Sequence, residues 1–301
     1  MARAQMTISK ENNQYYGEAF ERCIVAFGNN TSVLEEFNNI QFIFPKDHIN
    51  IIINDAKRAF SLIKNSNNIN QSTPFIYIGR HTSKASGDIQ VGDKIIEVKY
   101  VGGDNGTWSN NSINYFKDFD CGIDFLNTYR QYNYSYEIEQ VFKRYNIPVK
   151  ISHTNNSLVN QKDASMIRHQ YPDAYNFIRE IEKLYREKCL LMQDEYFQIH
   201  PEKQRQFILD SLSKTGARKT IPHKLLVFRR NEDKCYLINT EYLLNEINHS
   251  DINLIRKTNG DSYICDNMRM TIAWQNTTGL NNFSIRTFLT KEFLDKYARI
   301  G

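Results

Sequence analysis

The apolar pattern of this chain predicts a mixed α/β (α+β) fold, because its period changes three times along the sequence. Helical spacing opens it, strand-like runs follow, helical spacing returns in the middle, and strands close it. Between Lys10 and Phe27, residues Tyr16, Phe20, Cys23, Ile24 and Phe27 recur at three- and four-residue steps, the stripe of an amphipathic helix. A second helix covers Asp47 to Lys64. The polar stretch Asn65 to Ser72 reads as a loop before a strand over 74–78, and strands dominate to about Val101. Gly102 to Asn114 is rich in Gly, Asn and Ser and reads as a loop. Helical spacing is weak over Tyr134 to Tyr145 and strong over Asp173 to Met192 and Glu202 to Ser213. Strands over Lys224 to Phe228 and Cys235 to Ile238, then a pair over Met268 to Gln275 and Phe283 to Leu289, complete the order.

Composition narrows the function classes. The 301 residues allow one large domain or two ordinary ones, and 41% hydrophobic with 13% aromatic residues is enough to bury a core. A formal charge of +4 is far from that of a histone-like protein, so any anionic partner must meet a local patch. Mean hydropathy is −0.58, and no apolar run approaches the roughly 18–20 residues of a membrane span. Residues 1–16 lack the apolar centre of a secretory signal, so the expected address is the cytoplasm. Five scattered cysteines, with no C-x-x-C pair, read as reduced packing residues.

The segment from Ser86 to Tyr100 carries the chemistry. It reads as strand, two-residue turn and strand, with Gly92-Asp93 as the turn and Val91 facing Lys94. Extending that register opposes Asp88 to Glu97, and puts Lys99 on Glu97's face. Two opposed carboxylates destabilise a sheet unless a positive charge lies between them. Mg²⁺ fits, since it takes a few carboxylates and keeps positions for a phosphate oxygen and a water. Lys99 beside it would orient or deprotonate that water and offset charge on the phosphate. The plainer alternative is a solvated hairpin with a surface salt bridge. Ile95, Ile96, Tyr100 and Val101 flank the charges and argue for a buried strand instead.

Gly87-Asp88, eight intervening residues and Glu97-Val98-Lys99 together resemble the PD-(D/E)xK nuclease superfamily, with Gly87 in place of the usual proline. The resemblance implies a restriction-endonuclease-like core, a mixed central sheet flanked by helices. It implies Asp88 and Glu97 as metal ligands, the Val98 carbonyl as a third, and Lys99 as the catalytic lysine. Gly17-Glu18-Ala19-Phe20-Glu21 resembles the start of the helix that supplies a further glutamate, with Glu21 the better match and Glu18 the reserve. The expected division is a nuclease core over 1–150 and a helical and β-hairpin recognition region over 151–301, packed on it as one compact unit.

Three other segments suit double-stranded DNA. Asn110, Asn111 and Ser112 lie just after the motif and offer donors to phosphates and base edges. From Lys214 to Arg230 the chain carries Lys214, Arg218, Lys219, Lys224, Arg229 and Arg230 with no acidic residue between, a basic patch for phosphates. On the alternating strand from Met268, Arg269, Thr271 and Gln275 point away from the core, and Asn276, Asn281 and Asn282 flank the following turn, so this edge suits base readout. The W-Q-N-x-x-G-L-x-N stretch resembles C-terminal segments of some restriction endonucleases. The expected activity is that of a Mg²⁺-dependent type II restriction endonuclease, working as a homodimer on a palindrome and paired with a cognate DNA methyltransferase. A junction-resolving nuclease and a non-catalytic DNA-binding module are the alternatives.

Overall fold

A computed structural model of the chain describes residues 8, 12–67, 69, 72–79, 87–102, 106–112, 134–153, 158–213, 222–249, 255–256, 262–265, 268–274 and 283–300. In chain order its elements are α1 (Asn13–Asn29), α2 (Val33–Asn38), α3 (Lys46–Asn67), β1 (Phe75–Tyr77), β2 (Ile89–Val91), β3 (Lys94–Val101) and β4 (Gly106–Ser112). Then come α4 (Tyr134–Arg144), α5 (Gln161–Gln170), α6 (Pro172–Ile199), α7 (Lys203–Ser213), β5 (Lys224–Arg229), β6 (Lys234–Asn239) and α8 (Thr240–His249). The last are β7 (Ile255–Arg256), β8 (Ser262–Cys265), β9 (Met268–Trp274), β10 (Phe283–Leu289), α9 (Lys291–Tyr297) and β11 (Arg299–Ile300). The class is mixed α and β, as expected.

The chain forms two compact units, one of residues 1–107, 217–249 and 289–301, the other of 108–216 and 250–288. A single cut at residue 150 does not describe this division. The C-terminal half returns two central strands to the first unit, because β3 needs a partner on its second edge and finds it in β5.

The first unit is built on a six-stranded sheet of order β1-β2-β3-β5-β6-β11. All pairs are antiparallel except β3 with β5, which run parallel with Glu97 beside Leu225 and Lys99 beside Val227. Alternation along β3 sends Ile96, Val98 and Tyr100 to the helical side, where they join Phe20, Cys23 and Ile24 of α1 and Ile52, Ala56, Ala59 and Ile63 of α3 in one core. Phe20 stacks on Tyr100 at 4.3 Å between centroids, and the Tyr100 hydroxyl donates to Asp55 at 2.6 Å. Fully burying a side chain such as Phe20 contributes about 1.5–3 kcal/mol. The helix ends at Asn30, whose left-handed φ of 55° is one that Asn tolerates.

The second unit holds α4 to α7 and a five-stranded sheet of order β4-β10-β9-β8-β7, with β7, β8 and β9 antiparallel in turn. Two expectations change. Residues 106–112, expected within a loop, form β4, where Thr107 and Trp108 supply strand-forming side chains. Helix α3 runs on to Asn67 although a loop was expected from Asn65. The Ser66 hydroxyl, donating to the Ile63 carbonyl at 3.0 Å, satisfies part of that helix end.

Candidate active site

The β2–β3 hairpin turns at Gly92-Asp93, with Val91 paired to Lys94, Gln90 to Ile95 and Ile89 to Ile96. Gly92 has φ 58°, the positive value that the first central residue of a tight hairpin needs. The Gln90 side chain donates to the Gly92 carbonyl at 2.9 Å and pins the turn.

The regular ladder stops one step before the expected Asp88–Glu97 pair. The Asp88 amide donates to the Ile96 carbonyl at 3.0 Å, and the Asp88 carbonyl accepts from Ile78 at 2.9 Å and Gly79 at 3.3 Å. The Asp88 carboxylate then turns across to β3 and accepts the Val98 amide at 2.8 Å. A side chain here satisfies an amide that a strand backbone satisfies elsewhere, so the two strands part at this point. Gly87 explains the local tightness: a Cβ there would lie 2.7 Å from Ile95 Cγ2 and 2.9 Å from the Ile96 carbonyl oxygen. Asp88 is thereby held by its own backbone and by its carboxylate.

On β3, Glu97 is 7% exposed and its Oε1 is in contact with the Lys99 ammonium. The core residues Ile96, Val98 and Tyr100 alternate with this charged pair along β3 and occupy its opposite face. Glu21, on α1, interacts electrostatically with Asp88, Lys99 and Glu97. Burial, and after it the negative charge of Asp88, push the Glu21 carboxyl well above the ordinary range, with Lys99 opposing and Glu97 and Glu18 adding to the rise. Burial works to strip the proton from Lys99, but Glu97, Asp88 and Glu21 outweigh it and hold the ammonium charged. Glu18 is engaged instead by Arg22 at 3.1 Å, so of the two helix glutamates Glu21 is the one coupled most closely to the hairpin.

Four charged side chains from three segments therefore converge, three acids against one lysine. Among the described residues, no group of three or more His, Cys, Asp or Glu is gathered as a ready-made metal cage. The donor set nevertheless suits a hard cation such as Mg²⁺, which needs one or two carboxylates with water making up the rest. Burial first, and then the negative charge of Asp88, raises the Glu21 carboxyl, and a bound cation would relieve that second part.

The other expected site residues are spread differently. Asn110, Asn111 and Ser112 lie on β4, while Arg269 and Thr271 lie on β9. Both strands border β10, so these two segments belong to one sheet. Arg218, Lys219, Gln275, Asn276, Asn281 and Asn282 lie outside the described residues. Lys224 is half-buried, its ammonium 3.5 Å from the carbonyl and hydroxyl of Ser66. Arg229 and Arg230 are 3% and 8% exposed, so the end of the expected basic patch is internal. Arg229 pairs with Glu232 at 2.7 Å. Arg230 lies 5.0 Å over the Tyr100 ring, donates to Asn13 at 3.3 Å and continues the sheet through its amide to the Val101 carbonyl at 2.8 Å. A row of cations in sequence does not say which alternate residues face inward, and here both the strand end and the following turn close over them.

The cysteines Cys23 and Cys235 are free and buried, each thiol pushed up to about 12 chiefly by that burial, which fits packing residues. No helix of the described residues is long and apolar enough to cross a membrane. Compared with protein-family models, curated proteins and solved structures, the chain matches none.

Proposed function

We propose that the chain is a Mg²⁺-dependent endonuclease of the PD-(D/E)xK type, hydrolysing double-stranded DNA to 5′-phosphate and 3′-hydroxyl ends in the manner of a type II restriction enzyme. The observation that carries this is the meeting of Asp88, Glu97, Lys99 and Glu21 at the parting of one hairpin. Asp88, Glu97 and the Val98 carbonyl would hold the cation. When bound, such an ion polarises the phosphodiester and lowers the pKa of an attacking water. Lys99, kept charged by its acidic neighbours, orients the water and offsets charge building on the phosphate. Glu21 supplies a further carboxylate from the helix.

Recognition would fall to the second unit. Asn110, Asn111, Ser112, Arg269 and Thr271 sit on strands that border β10, and Asn and Arg are side chains suited to reading adenine and guanine edges. A palindromic target is met most simply by a homodimer, and a cognate DNA methyltransferase would protect the host's own sites. The cytoplasm, where such DNA lies, is the proposed address.

The test is digestion of phage DNA with Mg²⁺, followed by sequencing of the fragment ends. Discrete fragments sharing an end sequence support the reading. Cleavage confined to branched junctions would replace it with a resolving nuclease, and binding without scission would replace it with a DNA-binding module.

A further inference from the structure

A cavity of about 440 Å³ opens in the first unit where α3, β5, β6, α8 and α9 meet. Its wall includes Ser66, Lys224, Asn239, Tyr242, Lys296 and Tyr297. Lys224 pairs with Ile96 on one side and Asn239 on the other, and cross-strand partners share a face. Ile96 belongs to the helical side, so this cavity lies on the face opposite Glu97 and Lys99. Its described lining shares no residue with the candidate active site.

The chemistry of the wall is one-sided. Two ammonium groups contribute to it, and the described residues lining it include no carboxylate. Lys224 is half-buried beside Ser66, where a second cation nearby raises the cost of its charge and an anion lowers it. Lys296 lies 4.8 Å over the buried ring of Tyr297, and Tyr242, 52% exposed, is the open aromatic surface of the wall. Asn239 Oδ1 accepts the Tyr242 amide at 3.0 Å, which leaves the Asn239 NH₂ as the donor end. The volume falls in the range of roughly 300–1,000 Å³ typical of small-molecule sites.

We propose that this cavity binds a nucleoside carrying a terminal phosphate monoester, with Lys224 and Lys296 on the phosphate, Asn239 as a donor and Tyr242 against the ring. Two sources share that chemistry, a free mononucleotide and the 5′-phosphorylated end of a nucleic acid strand. The proposal does not rest on the nuclease reading, since the ligand sits on the other face of the sheet.

The experiment is calorimetric titration of the full chain in EDTA, so that cleavage plays no part. The probes are deoxynucleoside monophosphates, the matching deoxynucleosides, inorganic phosphate and short single strands with and without a 5′-phosphate. Saturable binding of a monophosphate is expected, at least tenfold tighter than its nucleoside or inorganic phosphate. It should weaken at least tenfold in both Lys224→Gln and Lys296→Gln, while Lys224→Arg and Lys296→Arg retain most of it. Melting curves establish that each variant is folded, and the exposed Lys296 provides the safer substitution. A monophosphate favoured over the phosphorylated strand identifies a free nucleotide, and the reverse identifies a strand end. No saturable binding, equal affinity for nucleoside and monophosphate, or unchanged affinity in both glutamine variants would overturn the assignment.

Discussion

Two ion pairs on adjacent parallel strands show how differently one sheet can use charge. At the end of β5, Arg229 is shut in at 3% side-chain exposure and meets Glu232, one acid for one base, three residues along the chain. On β3, Lys99 keeps 25% exposure and meets Glu97, but Asp88 and Glu21 press on the same spot. Each pair has one buried partner and one about a quarter exposed, so burial does not separate them, and the first sets one acid against one base. The second carries excess negative charge, an arrangement costly to the fold unless something cationic is to be held there.

The largest contrast should appear in activity. Asp88→Asn keeps an acceptor for the Val98 amide while removing a charge, so Mg²⁺-dependent cleavage should fall at least about a thousandfold with little change in melting temperature. Glu97→Gln should do the same. Asp88→Ala is the less clean variant, because it strands the Val98 amide at a cost of about 1–3 kcal/mol. Full cleavage by either conservative variant would remove the hairpin from the chemistry.

Next in size is Lys99→Ala. The rate should drop by about 10²–10⁴ while affinity for specific duplex, measured with Ca²⁺ in place of Mg²⁺, changes much less. Cleavage and binding lost in equal proportion would make Lys99 resemble Arg229, a structural partner.

Arg229→Ala addresses the other pair, and its expected effect is on the fold. It leaves Glu232 without its partner and should cost roughly 3 kcal/mol of stability, read by urea denaturation. DNA affinity per folded molecule should hold, contrary to the phosphate-contact role that its place in a basic run suggests. A weakened affinity with unchanged stability would restore that role.

The smallest effect concerns pH. Between the unfolded value of a glutamate, about 4.3, and the raised folded value of Glu21, the native state keeps a proton that the unfolded chain has lost. Stability therefore falls as pH rises through that window. Lys99, also raised, contributes stability that is lost only above its unfolded value of about 10.4, outside this range. Glu21→Gln should flatten the decline in melting temperature that sets in above the unfolded value of about 4.3, measured in EDTA. Identical slopes in the two proteins would detach Glu21 from the cluster.

Much of the candidate site can be read before folding, for local reasons. A Gly-X turn between apolar runs fixes a register, and that register carries Glu97 and Lys99 to one face and brings Asp88 near them. What escapes is anything decided by distant partners. The pairing of β3 with β5 depends on which remote strand completes the sheet, and no periodicity encodes it. Arg229 and Arg230 look like surface cations because composition does not reveal that Glu232 pairs with the first and that Tyr100 and Asn13 meet the second. Residues 106–112 look like a loop because Gly, Asn and Ser dominate there, yet pairing within a sheet overrides propensity. Even at the site, the last step of the register gives way to the Asp88 carboxylate, a detail only the tight packing of Gly87 hinted at.

The parallel junction of β3 with β5 also sets a timetable. A growing chain reaches Asp88, Glu97 and Lys99 early, yet the strand that flanks them is made only after residues 108–216 of the second unit. Until then β3 presents an unpaired edge rich in Ile and Val, a surface prone to wrong partners. Closing so long a loop is slow compared with forming the hairpin itself. The β2–β3 hairpin would thus wait, assembled but unsupported, and a chain halted before Lys224 would carry every residue of the motif without the neighbour that stiffens it.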